Sequence, residues 1–204
     1  EAVQKHIKKC FEGVNTLELQ GGGDKNKKWE AIGLVASDTE KVKLTPAVKI
    51  EGAVEQWLGQ VEKRMIESLR MHLVKCHQGN INPKSMKKER WVKEFPGQLL
   101  ITSGQIAWTT DCTAALAKIE KGQKNALRML KRSQTKYIGK LTDMIRKPLN
   151  KVERAKLVAL ITIEVHARDV QDIMIAKKTE SPSNFNWASQ LRFELREPTD
   201  EISP

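Results

Sequence analysis

From Phe95 to Ala117 the chain runs 23 residues with a single charge, Asp111, although 30% of all its residues are charged. Lys118 then opens a densely basic stretch. The segment 96–108 (PGQLLITSGQIAW) carries too many amides and hydroxyls to cross a bilayer and too few charges to form a solvated helix, so it has to pack against other protein. A buried element therefore abuts an exposed one at Ala117-Lys118.

The 204 residues suffice for one large domain or two small ones, and 39% hydrophobic content is adequate for a core. Aromatic residues make up only 5%, which leaves aliphatic side chains and Met to supply the buried area and favours helix-on-helix packing. The balance of 36 Lys and Arg against 25 Asp and Glu gives a net charge of +11. Between Lys118 and Lys156, 13 basic residues face 3 acidic ones, a local excess of +10, so nearly all of the net charge lies there. Such a stretch can meet nucleic acid, an anionic lipid surface or an acidic protein surface, since the Coulomb attraction is common to all three.

Three cysteines, Cys10, Cys76 and Cys112, are too few and odd in number for a secreted disulfide scaffold. No charged-then-apolar leader opens the chain and no apolar run of 18 residues occurs in it. The expectation is a soluble intracellular protein, as an excised piece of a longer chain.

Periodicity predicts a mainly α fold, an elongated bundle of long helices with a small antiparallel β-meander near the N-terminus. Residues 1–12 read as a helix with Val3, Ile7 and Cys10 or Phe11 on one face. Leu17-Glu18-Leu19, residues 31–35 (AIGLV) and Val42-Lys43-Leu44 read as three short strands within 17–50, with Pro46 at an edge or exit. A helical bundle is expected over 53–197 and an irregular tail over 198–204. Its strongest helix spans Ala53 to about His77, through Val54, Trp57, Leu58, Val61, Met65, Leu69 and Cys76, and ends at Gly79-Asn80-Ile81-Asn82-Pro83. A short amphipathic piece reaches Glu94. Trp108, Cys112, Ala115 and Ile119 begin a stripe that continues through Leu127, Leu130 and Ile138 to Ile145, as one long helix. Pro148 breaks it, Asn150 caps the next helix with Glu153 at the capping-box position, and residues 151–177 follow. The stretch 157–163 (LVALITI), apolar all round, predicts burial between neighbours, and Phe185 to Arg196 reads as a last short helix.

Signs of catalytic chemistry are weak. His6 with Cys10 and His72 with Cys76 have i,i+4 spacing and could supply four zinc ligands, but no Cys-x-x-Cys knuckle accompanies them, and half-buried helix faces are the simpler account. The triple glycine at 21–23 lacks the phosphate-loop spacing, and Gly and Lys adjoin only at Gly139-Lys140, within a helix. A flexible solvated connection accounts for the glycine loop. Most carboxylates sit in helical pairs with Lys or Arg, His166 reads as a hydrogen-bonded core residue, and no nucleophile has a base beside it. The expectation is no catalytic, cofactor-binding or metal-binding residue. The basic residues Lys118, Lys121, Lys124, Arg128, Lys131, Arg132, Lys136 and Lys140 form a solvated helix face or a docking face. A nucleic-acid-binding module is the rival reading, weakened because Tyr137 is the single aromatic nearby. Trp57, Trp108 and Trp187 read as packing anchors, and Gln105, Asn150 and Gln190 as polar joints at helix ends.

Several stretches together resemble dynein heavy chains, in the C-terminal half of the linker that leads into the ring of ATPase modules, and the axonemal branch more than the cytoplasmic one. They are residues 9–13 (KCFEG), 40–44 (EKVKL), 54–58 (VEQWL) with 61–65 (VEKRM), and 96–99 (PGQL) through 105–109 (QIAWT). They continue with 148–154 (PLNKVER), 165–170 (VHARDV) and 184–193 (NFNWASQLRF), in this order over almost the entire chain. The Gly21 to Lys28 loop is longer than the family's, Ser37-Asp38-Thr39-Glu40 stands where the family tends to carry Ser-x-Glu-Gly-Glu, and Pro198 to Pro204 departs from its continuation toward the first ATPase module.

The resemblance implies a non-catalytic lever, coupling the ATPase cycle of an adjoining AAA+ ring to movement along a microtubule. It implies no cofactor in these residues, with ATP and Mg bound in the ring of the full-length protein. The implied partners are that ring, other dynein subunits and, through the whole motor, the microtubule; no membrane is implied and nucleic acid is disfavoured. The implied location is the cytoplasm and cytoskeleton, in the axoneme of a cilium or flagellum. The packing or docking residues carried with this reading are Trp57, Gln105, Trp108, Lys121, Lys124, Arg128, Lys131, Arg132, Asn150, Glu153, Arg154, Trp187, Gln190 and Arg192.

Overall fold

The computed structural model describes residues 2–21, 28–82, 84 and 86–196. The chain is 63% helical, with seven α-helices and one three-stranded antiparallel sheet among the described residues, a mainly α fold. It divides into two compact units, Glu1–Lys75 and Cys76–Pro204.

In the first unit a 3-10 turn, Ala2–His6, leads into α1, Ile7–Cys10, so the expected 12-residue helix is shorter and tighter at its start. The Gln4 amide anchors this element: its Nε2 donates to the Leu17 carbonyl at 2.9 Å and its Oε1 accepts from the Leu17 amide at 3.0 Å. Strands β1 (Thr16–Gln20), β2 (Glu30–Val35) and β3 (Lys41–Lys49) pair in the order β1-β2-β3. The meander is thus where the residue pattern puts it, with β3 much longer than the run 42–44 suggests. Pro46 explains the difference: it has no N–H to donate, and it lies on an edge strand, where the pairing with β2 slips between Ala31 and Gly33. The core is Ile7, Phe11, Leu17, Ala31, Leu34, Leu44, Val48, Trp57 and Val61, the last two from α2, Val54–Ile81. Polar contacts hold α2 on β3: the buried Ser68 Oγ accepts from the Thr45 amide at 3.0 Å, and His72 Nε2 lies 3.1 Å from the Lys43 carbonyl oxygen. Residues 22–27 of the glycine-lysine loop lie outside the described residues, as do 197–204.

Helix α2 runs on through Gly79 to Ile81 instead of stopping before it. In the second unit Gly79 makes room for Trp91 of α3 (Lys88–Glu94): a Cβ at Gly79 would stand 3.1 Å from Trp91 Cδ1. The Trp91 indole donates to the Cys76 carbonyl at 2.8 Å. Helix α4, Gly97–Glu120, is the low-charge segment, with nine residues buried between Leu99 and Leu116.

The continuous stripe from Trp108 to Ile145 is not one helix. Gly122 takes φ +93°, its N–H bonds to the Ile119 carbonyl, and the Gln123 N–H reaches the Lys118 carbonyl, each at 2.9 Å. This Schellman arrangement satisfies the last carbonyls of α4 and reverses the chain into α5, Ala126–Ile145. The apolar spacing happens to stay in phase across the turn, which hides the break. Helix α6, Lys151–Ala176, starts with the anticipated capping box, Glu153 N–H to Asn150 Oδ1 at 2.8 Å and Asn150 N–H to Glu153 Oε2 at 3.3 Å.

Helices α4, α5 and α6 each pack on the other two. Burial on α6 follows a heptad, Leu157, Leu160, Glu164, Ala167, Gln171 and Met174, and α5 answers with Leu127, Leu141 and Met144. The apolar run 157–163 is therefore one-sided: Leu157 and Leu160 are fully buried while Val158 is 51% exposed. The last helix, α7, is only Phe185–Ala188, capped by Asn184, and residues 190–196 are irregular. Trp187 closes the end of the bundle at 0% exposure, against Cys112, Ala115, Leu116, Leu127, Val170 and Met174. Truncating Trp187 to Ala is expected to cost about 3–5 kcal/mol in urea denaturation, and Trp108, only half-buried, less than that.

Candidate functional site

Two features of the second unit stand out from ordinary packing: a charged group inside the bundle and a charged stripe outside it. Glu164, at an inward heptad position of α6, is 5% exposed. Gln134 of α5 donates its side-chain amide to Glu164 Oε2. On the α4 side Gly104 leaves room for the carboxylate: a Cβ there would lie 2.8 Å from Glu164 Oε1, which would have to shift, and 3.6 Å from Leu160 Cδ1. Gly104, Gln134 and Glu164 thus form one polar layer of the bundle.

Burial pushes the Glu164 carboxyl up to about 7, against the Gln134 hydrogen bond and the positive charge of Lys88. Lys88, at the start of α3, is itself brought down to about 8 by burial. Its ammonium sits 3.9 Å from the centre of the Trp91 ring and 5.3 Å from that of Tyr137, and it donates to the Asn80 side chain. Burial also raises Tyr137 and lifts the Cys76 thiol to about 12, so Cys76 is a neutral side chain that donates to the Leu99 carbonyl rather than a thiolate. Residue spacing gives no sign of Lys88. Glu164 does have one: it falls in register with Leu157, Leu160, Ala167 and Gln171, an exception to the expected solvated carboxylates.

The basic residues do not form a single face. Lys121 and Lys124 are exposed in the turn after α4, and Lys131 pairs with Asp172 of α6. Arg128, Arg132, Lys136 and Lys140 make an exposed i,i+4 stripe on α5, and none of the four pairs with a carboxylate among the described residues. Like charges at that spacing oppose one another, at about 0.2–0.5 kcal/mol per pair.

Gln105, Trp108, Gln190 and Trp187 come together. The Trp108 and Trp187 rings meet edge-on with centroids 5.2 Å apart. Gln105, Trp108 and Gln190 line a cavity of about 140 Å³ with Gly104, Ile163, Glu164, His166, Ala167 and Leu191. Gln190 Nε2 also donates to the Asn186 carbonyl at 3.1 Å. His166 is exposed at this cavity rather than part of the core, since it falls on the outer side of the heptad. Glu153 lies 3.9 Å from Lys93, Arg154 Nη1 donates to the Ile145 carbonyl at 3.3 Å, Arg192 is exposed, and Trp57 belongs to the other unit's core. His6 and Cys10 are exposed, Cys76 is buried, and among the described residues no group of three His, Cys, Asp or Glu could hold a metal ion. Gly139-Lys140 lies inside α5, whose amides are committed to the helix, and so offers no phosphate cradle. No helix among the described residues is long and apolar enough to cross a membrane.

Residues 1–76 match a family model described as dynein heavy chain, N-terminal region 2. The chain is 44% identical over 191 residues to the dynein-1-beta heavy chain of the flagellar inner arm I1 complex of Chlamydomonas reinhardtii, covering 94% of this chain and 4% of that one. It is 41% identical over 202 residues to dynein axonemal heavy chain 2 of Homo sapiens, 98% of this chain and 4% of that one, and 32% identical over 190 residues to dynein axonemal heavy chain 11 of Sus scrofa, 93% and 4%. The chain thus spans about 4% of the length of these curated relatives. They lend no support to a nucleic-acid-binding module.

An acid with a raised folded pKa holds its proton more tightly folded than unfolded. The Glu164 contribution is therefore most favourable below the unfolded value of 4.5 and is lost as pH rises to about 7. Glu164→Gln keeps an acceptor for Gln134 and removes the charge. Its stability relative to the parent chain is expected to rise by about 1–3 kcal/mol between pH 4.5 and 8, read from urea midpoints; a pH-independent difference would mean the carboxylate is hydrated.

Proposed function

The chain belongs to the dynein heavy chain family, and on that footing we propose that it is a non-catalytic lever segment, part of the linker that precedes the first ATPase module of an axonemal heavy chain. The observation that carries this reading is 41–44% identity running along 94–98% of the chain to flagellar and axonemal heavy chains. Family membership supports placing nucleotide hydrolysis in an adjoining AAA+ ring, where ATP and Mg would bind, and the microtubule at the far side of the motor. The names of the relatives support a place in the cilium or flagellum, within the cytoplasm and cytoskeleton.

The second unit suits a part that carries load. Three mutually packed helices resist sliding because each step along the axis must break heptad contacts on two neighbours. The packing or docking roles divide accordingly: Trp108, Trp187, Gln105, Gln190, Asn150, Glu153 and Arg154 hold helices and their ends, and Trp57 holds α2 to the sheet. Lys121, Lys124, Arg128 and Arg132 meet an acidic surface of the ring or of a neighbouring dynein subunit. Lys131 is already paired with Asp172 in a half-exposed ion pair between α5 and α6, and Arg192 remains on the exposed side.

Two measurements test the reading. The chain alone is expected to show no ATP hydrolysis; turnover abolished by a point change within it would sink the proposal. In a full-length heavy chain containing this segment, Arg128→Glu with Arg132→Glu is expected to slow microtubule gliding several-fold at unchanged basal ATPase, since reversed charge at an acidic contact repels. Unaltered gliding would remove the docking role from the stripe.

A further inference from the structure

The cavity at Gln105, Trp108, Glu164 and Gln190 is built more specifically than a packing defect. Its floor is a carboxylate with one oxygen committed and one open. Oε2 accepts from Gln134, whereas Oε1, on the side of Gly104, accepts from nothing among the described residues. Gly104 and Glu164 both line the cavity, so the open oxygen lies where an occupant would meet it. Lys88, the cation that acts on Glu164, is held by Asn80 and by the Trp91 and Tyr137 rings and makes no ion pair with the carboxylate. Trp108 gives the wall an aromatic face; its buried indole N–H has no partner among the described residues and, as a donor, calls for an acceptor such as a backbone carbonyl of the occupant rather than for the cation.

We propose that this cavity receives one arginine side chain from a partner polypeptide, with the guanidinium on Glu164 Oε1 and against the Trp108 indole. The volume of about 140 Å³ is below that of sites for whole metabolites, about 300–1,000 Å³, and suits a single side chain. A guanidinium supplies several N–H donors in a plane and stacks on aromatic rings, which answers both the open carboxylate oxygen and the indole wall. The rim identifies the carrier as polypeptide: Leu191 borders the cavity at 76% exposure, and the Gln105 and Gln190 amides beside it can pair with a backbone. The basic stripe on α5 repels cations and seeks acids, so this pocket is a second contact of opposite sign. It stands on its own geometry and does not depend on the motor reading.

The test is a titration of the 204-residue chain with Nα-acetyl-arginine amide and with Nα-acetyl-citrulline amide, its uncharged isostere. The readout is the Trp108 indole N–H resonance, assigned with Trp108→Phe. The arginine probe is expected to saturate with Kd on the order of 1 mM, and citrulline to bind at least about tenfold more weakly. Glu164→Gln, checked for an unchanged circular dichroism spectrum, is expected to abolish the difference between the two probes. Equal binding of the two probes, absence of saturation by the arginine probe, or undiminished arginine preference in Glu164→Gln would each overturn the proposal. If that variant does not fold, the comparison of probes on the parent chain decides alone.

Discussion

The second unit depends on one buried polar contact, the amide of Gln134 donating to the carboxylate of Glu164 in a space that Gly104 leaves open. Apolar heptads alone permit several registers, because Leu against Leu one turn away packs nearly as well. A buried carboxyl removes that freedom. Sliding α5 by one turn would leave Glu164 without its donor, and a side chain at 104 would push the carboxylate from its place. The layer adds little to stability, since burial disfavours the charged form. It adds definition, fixing one register among the apolar alternatives.

Around this layer several polar groups find partners, whereas the Ser103 and Tyr137 hydroxyls and the Trp108 and Trp187 indole N–H groups have none among the described residues. Lys88 is enclosed by two rings and the Asn80 side chain, Trp91 bonds the Cys76 carbonyl, and Thr109 Oγ1 accepts from the Phe193 amide at 3.1 Å, tying the irregular stretch after α7 back to α4. Ser181 Oγ donates to Glu120 Oε1 at 2.6 Å, linking the chain after α6 to the end of α4. The polar joints gather at helix ends and crossings, where backbone groups would otherwise stay unsatisfied.

Much of this is legible in the residue pattern. The meander, the capping box at Asn150 and Glu153, the long α2 and the burial of the low-charge segment all follow from short-range signals. The break at Gly122 is not, because the left-handed residue alone reverses the chain while the apolar period carries on undisturbed from Ile119 to Leu127. Pro46 disguises the length of β3, since a strand that slips around a proline keeps no simple alternation. Glu164 escapes notice for a different reason: a carboxylate among Leu, Ile and Val looks like a break in the stripe, yet its heptad position makes it part of the stripe. Lys88 cannot be found from spacing alone, because one of the two rings beside its ammonium, Tyr137, is far from it in sequence. In the candidate site, Gln105, Trp108 and Gln190 are visible as family-like motifs, but their convergence on one cavity is a property of three segments that only the fold brings together.

Helix α5 carries two incompatible demands and separates them by period. Leu127, Gln134, Tyr137, Leu141 and Met144 repeat at heptad spacing toward α4 and α6, whereas Arg128, Arg132, Lys136 and Lys140 repeat every fourth residue on the outside. The two series share no position, so the outer charge can change without disturbing the layer that sets the register. Mutual repulsion along the stripe is also tolerable because the cost falls on a helix already held by packing on both neighbours. An isolated helix with the same outer face would be weakened by its own charge. Packing of α5 on both neighbours is therefore what permits the exposed basic stripe.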